Sequence, residues 1–223
     1  MIRALLLDLD GTLYDQGKLR RRMLFDLSRS FIAAPLRGYR TARALRAFRQ
    51  AQETLRLAGV CGDIGALQSE MACLRTGFDA RFVAACVHEW MEQAPLRHLA
   101  ACMVPGVKEL LEFARRAGIR VALCSDYPAA RKLESMGLAK YFDEVICAQD
   151  PEVASLKPHP GILRIALQRL GVAASEAVYA GDRPDVDGAT ATAAGIAYIN
   201  IVHRAAPGSS TIGNLPAKIR SWV

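Results

Sequence analysis

Apolar positions along this chain follow two different rhythms. Near the N-terminus Ala4-Leu5-Leu6-Leu7 is an unbroken apolar run that ends in Asp8-Leu9-Asp10-Gly11-Thr12. A short continuous run of this kind reads as a strand buried on both faces and followed by a turn. From about residue 18 to 94 no strand pattern occurs, and Ala, Leu, Arg and Gln, all good helix formers, dominate. Ala42, Leu45, Phe48, Gln52 and Leu55 recur at helical spacing, with arginines around the other faces. Gly59, Gly62 and Gly65 mark a break. Asp79 is placed to cap a helix that carries Phe82, Cys86, Val87, Trp90 and Met91 on one side and ends before Pro95.

After Pro105-Gly106 helices and short apolar runs alternate. Helices are predicted over about 106–117, 128–136, 160–170 and 185–194, each followed by a strand, at 119–124, 144–147, 177–180 and 196–199. Residues 205–216 read as a loop, and a short amphipathic tail runs to Val223. This alternation predicts an α/β fold, a parallel sheet with helices on both faces. The expected organisation is a core of residues 1–14 and 98–223 with an all-helical insertion over 15–97.

Composition narrows the class. With 223 residues, 52% hydrophobic and 23% charged, the chain is expected to form one globular domain with a modest insertion, and global disorder is excluded. No apolar run approaches the roughly 18–20 residues that cross a bilayer. The N-terminal run ends in acid rather than in a small-residue cleavage site, so a cytoplasmic protein with no membrane partner is expected. The six cysteines form no C-x-x-C pair and the four histidines no H-x-x-x-H pair, which argues for reduced, mostly core thiols and against zinc. The net charge of +7 is local. Between Asp15 and Val60 eleven basic residues face three acidic ones, a net +8, which leaves the remainder at −1. Such a segment suits an anionic substrate, nucleic acid or acidic lipid, or is simply a solvated helix surface.

The polar residues just past the predicted strands carry the candidate chemistry. They are Asp8 and Asp10, then Ser125 and Asp126, then Lys157, then Asp182 with Asp185 and Asp187. In a parallel sheet these positions converge at the carboxyl edge, where ligands bind. Clustered carboxylates repel one another and need a cation, and for oxygen ligands alone Mg²⁺ is the natural one. A metal with a lysine and a serine suits a bound phosphoryl group.

Four ordered motifs make this sequence resemble the haloacid dehalogenase-like (HAD) hydrolases: Asp8-Leu9-Asp10-Gly11-Thr12-Leu13-Tyr14, Cys124-Ser125-Asp126, Leu156-Lys157-Pro158-His159-Pro160 and Ala180-Gly181-Asp182 through Ala189. The resemblance implies a Rossmann-like core with an inserted all-helical cap domain. It implies a Mg²⁺-dependent phosphatase acting on a small phosphorylated metabolite through an aspartyl-phosphate. Asp8 is then the nucleophile and Asp10 the general acid–base. Mg²⁺ is held by Asp8, the main-chain carbonyl of Asp10, and Asp182, with Asp187 in support and Asp185 as the weaker candidate. Gly11, Thr12, Ser125 and the Asp126 amide hold phosphoryl oxygens, and Lys157 neutralises charge. An acid at position 10 matches the phosphotransferase pattern rather than the carbon–halogen hydrolases. Asp126, where the family more often continues Asn-Gly, is expected to point away from the phosphate or to cap a helix, and Ser125 also suits a cap. Phe48, Phe82 and Trp90 read as helix packing before substrate stacking. Two other readings share these features. A phosphomutase would use the same motifs, and the basic insertion would serve a nucleic-acid or protein docking module. Nucleic acid is not expected as a partner, since aromatics do not alternate with the arginines. The assembly is expected to be a monomer or homodimer.

Overall fold

The computed structural model of the chain describes residues 1–203 and 210–221. Among these residues five strands form one all-parallel sheet: β1 (Ala4–Leu7), β2 (Arg120–Ser125), β3 (Glu144–Cys147), β4 (Ala177–Gly181) and β5 (Ala197–Asn200). The order is β3-β2-β1-β4-β5, so β1 is central and Leu6 registers between Ala122 and Tyr179. The strand order reverses at β1, which opens a crevice beyond its carboxyl end. The sequence expectation of five strands in an α/β fold is met.

Between β1 and β2 the chain runs through the inserted helices. These are α1 (Gln16–Ala33), α2 (Pro35–Ala58), α3 (Ile64–Thr76), α4 (Ala80–Val87), a wider-wound turn at His88–Gln93, and α5 (Leu96–Cys102). Local signals fix their ends. Asp15, Asp63 and Asp79 cap α1, α3 and α4 with their side chains, and Pro35 opens α2. Gly59 ends α2 in the left-handed region at φ 62°. The helical block has its own small core, with Ala47, Phe48, Ala72 and Val83 in one cluster and Ala44, Leu45 and Cys86 in another. Its lower end is seated on the sheet domain, because Leu55 and Ile64 pack with Val153 and Leu156.

The remaining helices cover the sheet: α6 (Val107–Arg116), α7 (Ala130–Ser135), α8 (Gly161–Leu170), α9 (Ala189–Ala194) and α10 (Leu215–Arg220). Alternation along β1 sorts the two faces. Leu5 and Leu7 join Leu110, Leu111 and Leu133 on one face, whereas Ala4 and Leu6 join Ile162, Leu163 and Ala166 on the other. The loop expected over 205–216 is partly corrected. Ile212–Asn214 forms a short tight helical turn and α10 follows, with Ile212, Leu215 and Ile219 fully buried. Pro216 sits in the first turn of α10, where its missing N–H costs nothing. Residues 204–209, also within that expected loop, and 222–223 lie outside the described residues.

Candidate active site

The carboxyl edge of the sheet gathers the acids that the sequence placed past each strand. Asp8 follows β1 and is buried, and its Oδ1 accepts a hydrogen bond from Lys157 Nζ at 2.5 Å. The Thr12 hydroxyl donates to Asp8 Oδ2 at 3.1 Å. Asp8, Asp182 and Asp187 each place a carboxylate oxygen within 4.8 Å of the others. The backbone between them leaves no spare room. Gly11 has φ +98°, and a Cβ there would lie 2.2 Å from Asp182 Oδ2. A Cβ on Gly181 would lie 2.4 Å from Asp187 Oδ2. Both positions therefore require glycine, one for its conformation and both for the close approach.

Lys157 is the cation of this cluster. Its ammonium donates to Asp8, to Asp187 Oδ1 at 2.7 Å and to the Tyr179 hydroxyl at 3.1 Å, so all three protons are used. The Tyr179 hydroxyl in turn donates to Asp187 Oδ1 at 2.8 Å. Burial opposes the lysine's charge, but Asp8 and its other neighbours outweigh it and hold Lys157 well above the usual lysine range. With one lysine between two buried carboxylates, a negative charge is left over. Burial first, then the Asp187 charge, push the Asp8 carboxyl up to about 8 despite Lys157. Asp182 is also raised, by burial and by Asp187.

Asp10 lies apart from this group. Its Oδ1 accepts from the Tyr14 hydroxyl and from Lys132 Nζ, the latter at 2.8 Å. Burial raises its carboxyl, but the Lys132 charge and the two hydrogen bonds overcome that and leave it below the ordinary range. Asp187 and Asp185 part company in the wide turn at Pro184–Gly188. Asp187 turns inward and accepts from the Arg183 amide at 3.1 Å, whereas Asp185 is exposed and pairs with Arg183 Nη2 at 2.8 Å. Ser125 is buried at the end of β2, and its hydroxyl accepts from the Tyr127 amide at 3.2 Å.

Of the two expectations for Asp126, turning away or capping a helix, the structure shows the first, and Ser125 caps no helix either. Pro128 disfavours helical backbone at Tyr127, and α7 begins only after Ala129. Asp126 points away from Asp8 to Arg56, a residue that the sequence reading did not single out. Arg56 Nη2 pairs with Asp126 Oδ2 at 3.0 Å, and Arg56 Nη1 donates to the Lys157 carbonyl at 2.7 Å. Asp126 Oδ1 accepts from the Lys157 amide at 3.2 Å. Both backbone polar groups of Lys157 are thus held by a helix of the insertion and the loop after β2. Arg56→Met is expected to lower kcat on the order of tenfold or more with KM little changed, because small misplacements of a catalytic group are costly. Adding Asp126→Asn, which removes the stranded charge but keeps the acceptor, recovers part of the loss. Steady-state kinetics on the two variants checks this.

A cavity of about 1210 Å³ lies above these groups. Asp8, Asp10, Lys132, Lys157, Asp182 and Asp187 line it from the sheet side. Arg46, Phe48, Arg49, Trp90 and Met91 line it from the helical insertion. Gly11, Thr12 and Ser125 are buried and do not line it. Phe48 is mostly buried against Tyr127, with ring centroids 6.5 Å apart, and Phe82 packs edge-on to Phe78, as expected of helix packing; Trp90 is half-buried on the cavity wall. Lys132, Arg56 and Tyr179 are the site residues that sequence reasoning missed, and Tyr14, which closes the first motif, was given no role. Of the three missed, only Tyr179 left a signal, a phenol among small residues in a fully buried strand.

An acid-rich site with one buried lysine, at the carboxyl edge of a parallel sheet and under a helical insertion, defines a class of α/β hydrolytic enzymes. The sequence pattern of the haloacid dehalogenase-like hydrolases matches residues 2–195, and the chain belongs to that family. It is similar to the glyceraldehyde 3-phosphate phosphatase of Methanopyrus kandleri, with 31% identity over 206 residues, covering 90% of this chain and 84% of that protein. It is 29% identical over 211 residues to the phosphoglycolate phosphatase of Shigella dysenteriae serotype 1, covering 85% and 78% of the two chains. Its fold matches the 2-haloacid dehalogenase of Pseudomonas syringae pv. Tomato over 100% of both chains, with a TM-score of 0.68 at 24% identity.

Proposed function

We propose that this chain is a Mg²⁺-dependent phosphatase that hydrolyses a small phosphorylated metabolite through an aspartyl-phosphate on Asp8. The observation that carries the reading is the Asp8–Lys157 contact at 2.5 Å on the floor of a cavity, with Asp10 two residues away on the same wall. The two sequence relatives named above are phosphatases by name, one for glyceraldehyde 3-phosphate and one for phosphoglycolate, whereas the 2-haloacid dehalogenase shares the fold.

An Asp8 oxygen attacks phosphorus, and the bond from phosphorus to the ester oxygen breaks. Lys157 offsets the charge that the nucleophile and the phosphoryl group bring together. Asp10, protonated, gives its proton to the departing alkoxide. As carboxylate it then takes a proton from the water that attacks the phosphoaspartate, which releases inorganic phosphate and restores Asp8. Lys132 and Tyr14 favour the carboxylate needed for the second step. The negative charge of an arriving ester opposes Lys132 and favours the protonated form needed for the first. Asp10 also distinguishes this chemistry from carbon–halogen hydrolysis, where the leaving halide needs no proton.

The three carboxylates within 4.8 Å, all oxygen donors with raised Asp8 and Asp182 pKa values, fit Mg²⁺. Asp8, Asp182 and the Asp10 carbonyl would hold it, with Asp187 in support. When bound, the ion supplies positive charge that screens the phosphate from the carboxylate that attacks it. The helical insertion, residues 15–97, acts as a cap over the cavity and excludes water. Arg46 and Arg49 on its underside suit a substrate with a second negative group.

Phosphate release from a panel of small phosphorylated acids and sugars, with Mg²⁺ and with chelator, tests the reading. Metal-dependent release of free phosphate is expected. Formation of an isomeric sugar phosphate instead would make the chain a mutase, and no turnover on any ester would overturn both.

A further inference from the structure

The outer face of the α1–α2 hairpin is left without a partner. Leu24, Phe25, Ile32, Leu36 and Tyr39 are 54–83% exposed, and they are five of the eight large apolar side chains exposed among the described residues. Arg21, Phe25, Arg29 and Ile32 follow one another at helical spacing along the exposed side of α1. Arg37 stands beside Leu36 on the first turn of α2, whereas Arg40 turns to the Phe78 and Phe82 rings, 5.1 and 4.6 Å from their centroids. The hairpin itself is tightly closed, since a Cβ on Gly38 would lie 2.8 Å from the Phe31 ring. The patch is therefore a formed surface. Its one acid, Asp26, is turned inward and is held by Arg97 at 2.9 Å and His98 at 2.6 Å. Leu24 also lines the catalytic cavity, so the patch runs up to the cavity mouth.

We infer that the α1–α2 hairpin docks this protein on an anionic phospholipid surface. Charge selects the occupant. The face itself carries Arg21, Arg29 and Arg37, and its one acid is turned inward and paired. Two copies pairing through this face would set that charge against itself, because an isologous interface must be self-complementary. Nucleic acid would match the arginines but leave Leu24, Ile32 and Leu36 with nothing to contact. A bilayer with acidic headgroups satisfies both sets. Apolar side chains enter the headgroup–acyl boundary while arginines meet the lipid phosphates. Such contact is peripheral and needs no spanning segment, and none of the described helices is long and apolar enough to cross a membrane. It departs from the expectation of no membrane partner and takes up the acidic lipid that the charge of the insertion already suited.

The test is co-sedimentation of the full chain with phosphatidylcholine vesicles, with and without phosphatidylglycerol, over a range of salt. Binding is expected only with phosphatidylglycerol, and it weakens as salt rises. Each of Arg21→Ala, Arg29→Ala and Arg37→Ala is expected to weaken it about fivefold. Phe25→Ser with Ile32→Ser is expected to weaken it at least tenfold without change in melting temperature or in phosphate release from a soluble ester. No binding overturns the inference. So does binding that ignores the Phe25 and Ile32 substitutions, since that is adhesion of a polycation. Equal capture by an acidic polypeptide, or a concentration-dependent dimer in ultracentrifugation that the same two substitutions abolish, likewise overturns it.

Discussion

Asp8→Asn is expected to lower phosphate release on the order of 10⁴-fold or more, the scale seen when a covalent nucleophile is removed. The same substitution is expected to stabilise the metal-free protein at pH 8. The physical basis is the burial of Asp8 first, and then the surplus charge of a cluster in which Asp8 and Asp187 share one lysine. The Asp8 carboxyl is pushed up to about 8 in the folded chain, against 3.8 unperturbed. The folded state therefore keeps a proton that the unfolded state gives up. Stability is lost as pH rises between those two values, since the unfolded state then binds fewer protons than the folded one. Asparagine carries no such proton, so the slope flattens. Saturating Mg²⁺ should flatten it in the native chain as well, because a cation replaces the proton as the balancing charge. Thermal denaturation in chelator from pH 5 to pH 8.5, native against Asp8→Asn, reads this directly. Parallel slopes for the two proteins would mean that the surplus charge resides elsewhere.

The contrast between the two effects of Asp8 explains what the sequence could and could not reveal. The frame was legible because each parallel strand, buried on both faces, is written as a continuous apolar run between glycines and helices. Ala4–Leu7 and Ala177–Gly181 are such runs. The positions of Asp8, Lys157, Asp182 and Asp187 followed from that frame, since topology alone brings strand ends to one edge. The partners of these groups were not legible. Lys132 reaches Asp10 across 122 positions of sequence, and Arg56 reaches Lys157 across 101. Nothing in local spacing encodes either contact. Arg56 in particular stood among ten other basic residues between Asp15 and Val60, where a solvated arginine and a buried one look alike. Two helix starts were obscured by proline: Pro128 delays to Ala130 the helix read from about residue 128, and Pro216, tolerated in a first turn, hid the start of the helix at Leu215–Arg220.

Lys157→Met should show the inverse of Asp8→Asn. The lysine is 3% exposed, and its three protons all go to Asp8, Asp187 and Tyr179. Methionine fills much the same space but leaves two buried carboxylates facing each other with no cation between them. Removing one partner from a buried pair costs about 3–5 kcal/mol. The lysine's raised pKa means that its stabilising charge is fully present at neutral pH and is lost only as pH rises past the ordinary lysine range. The cost of the substitution must therefore depend on the carboxylates. Asp8 holds its proton up to about pH 8 even beside the lysine and more firmly without it, so the deficit should be smaller at pH 5 than at pH 9, where only the native chain ionises Asp8. Mg²⁺ should restore part of it, since a ligand at one hundred times its Kd adds about 2.7 kcal/mol to the folded state. Activity should not return with stability, because in the proposed reaction the ammonium also offsets charge as Asp8 approaches phosphorus. Urea denaturation at both pH values, with Mg²⁺ and with chelator, separates these effects. A deficit indifferent to pH and to Mg²⁺ would show that Lys157 serves the packing of β4 rather than the charge of the site.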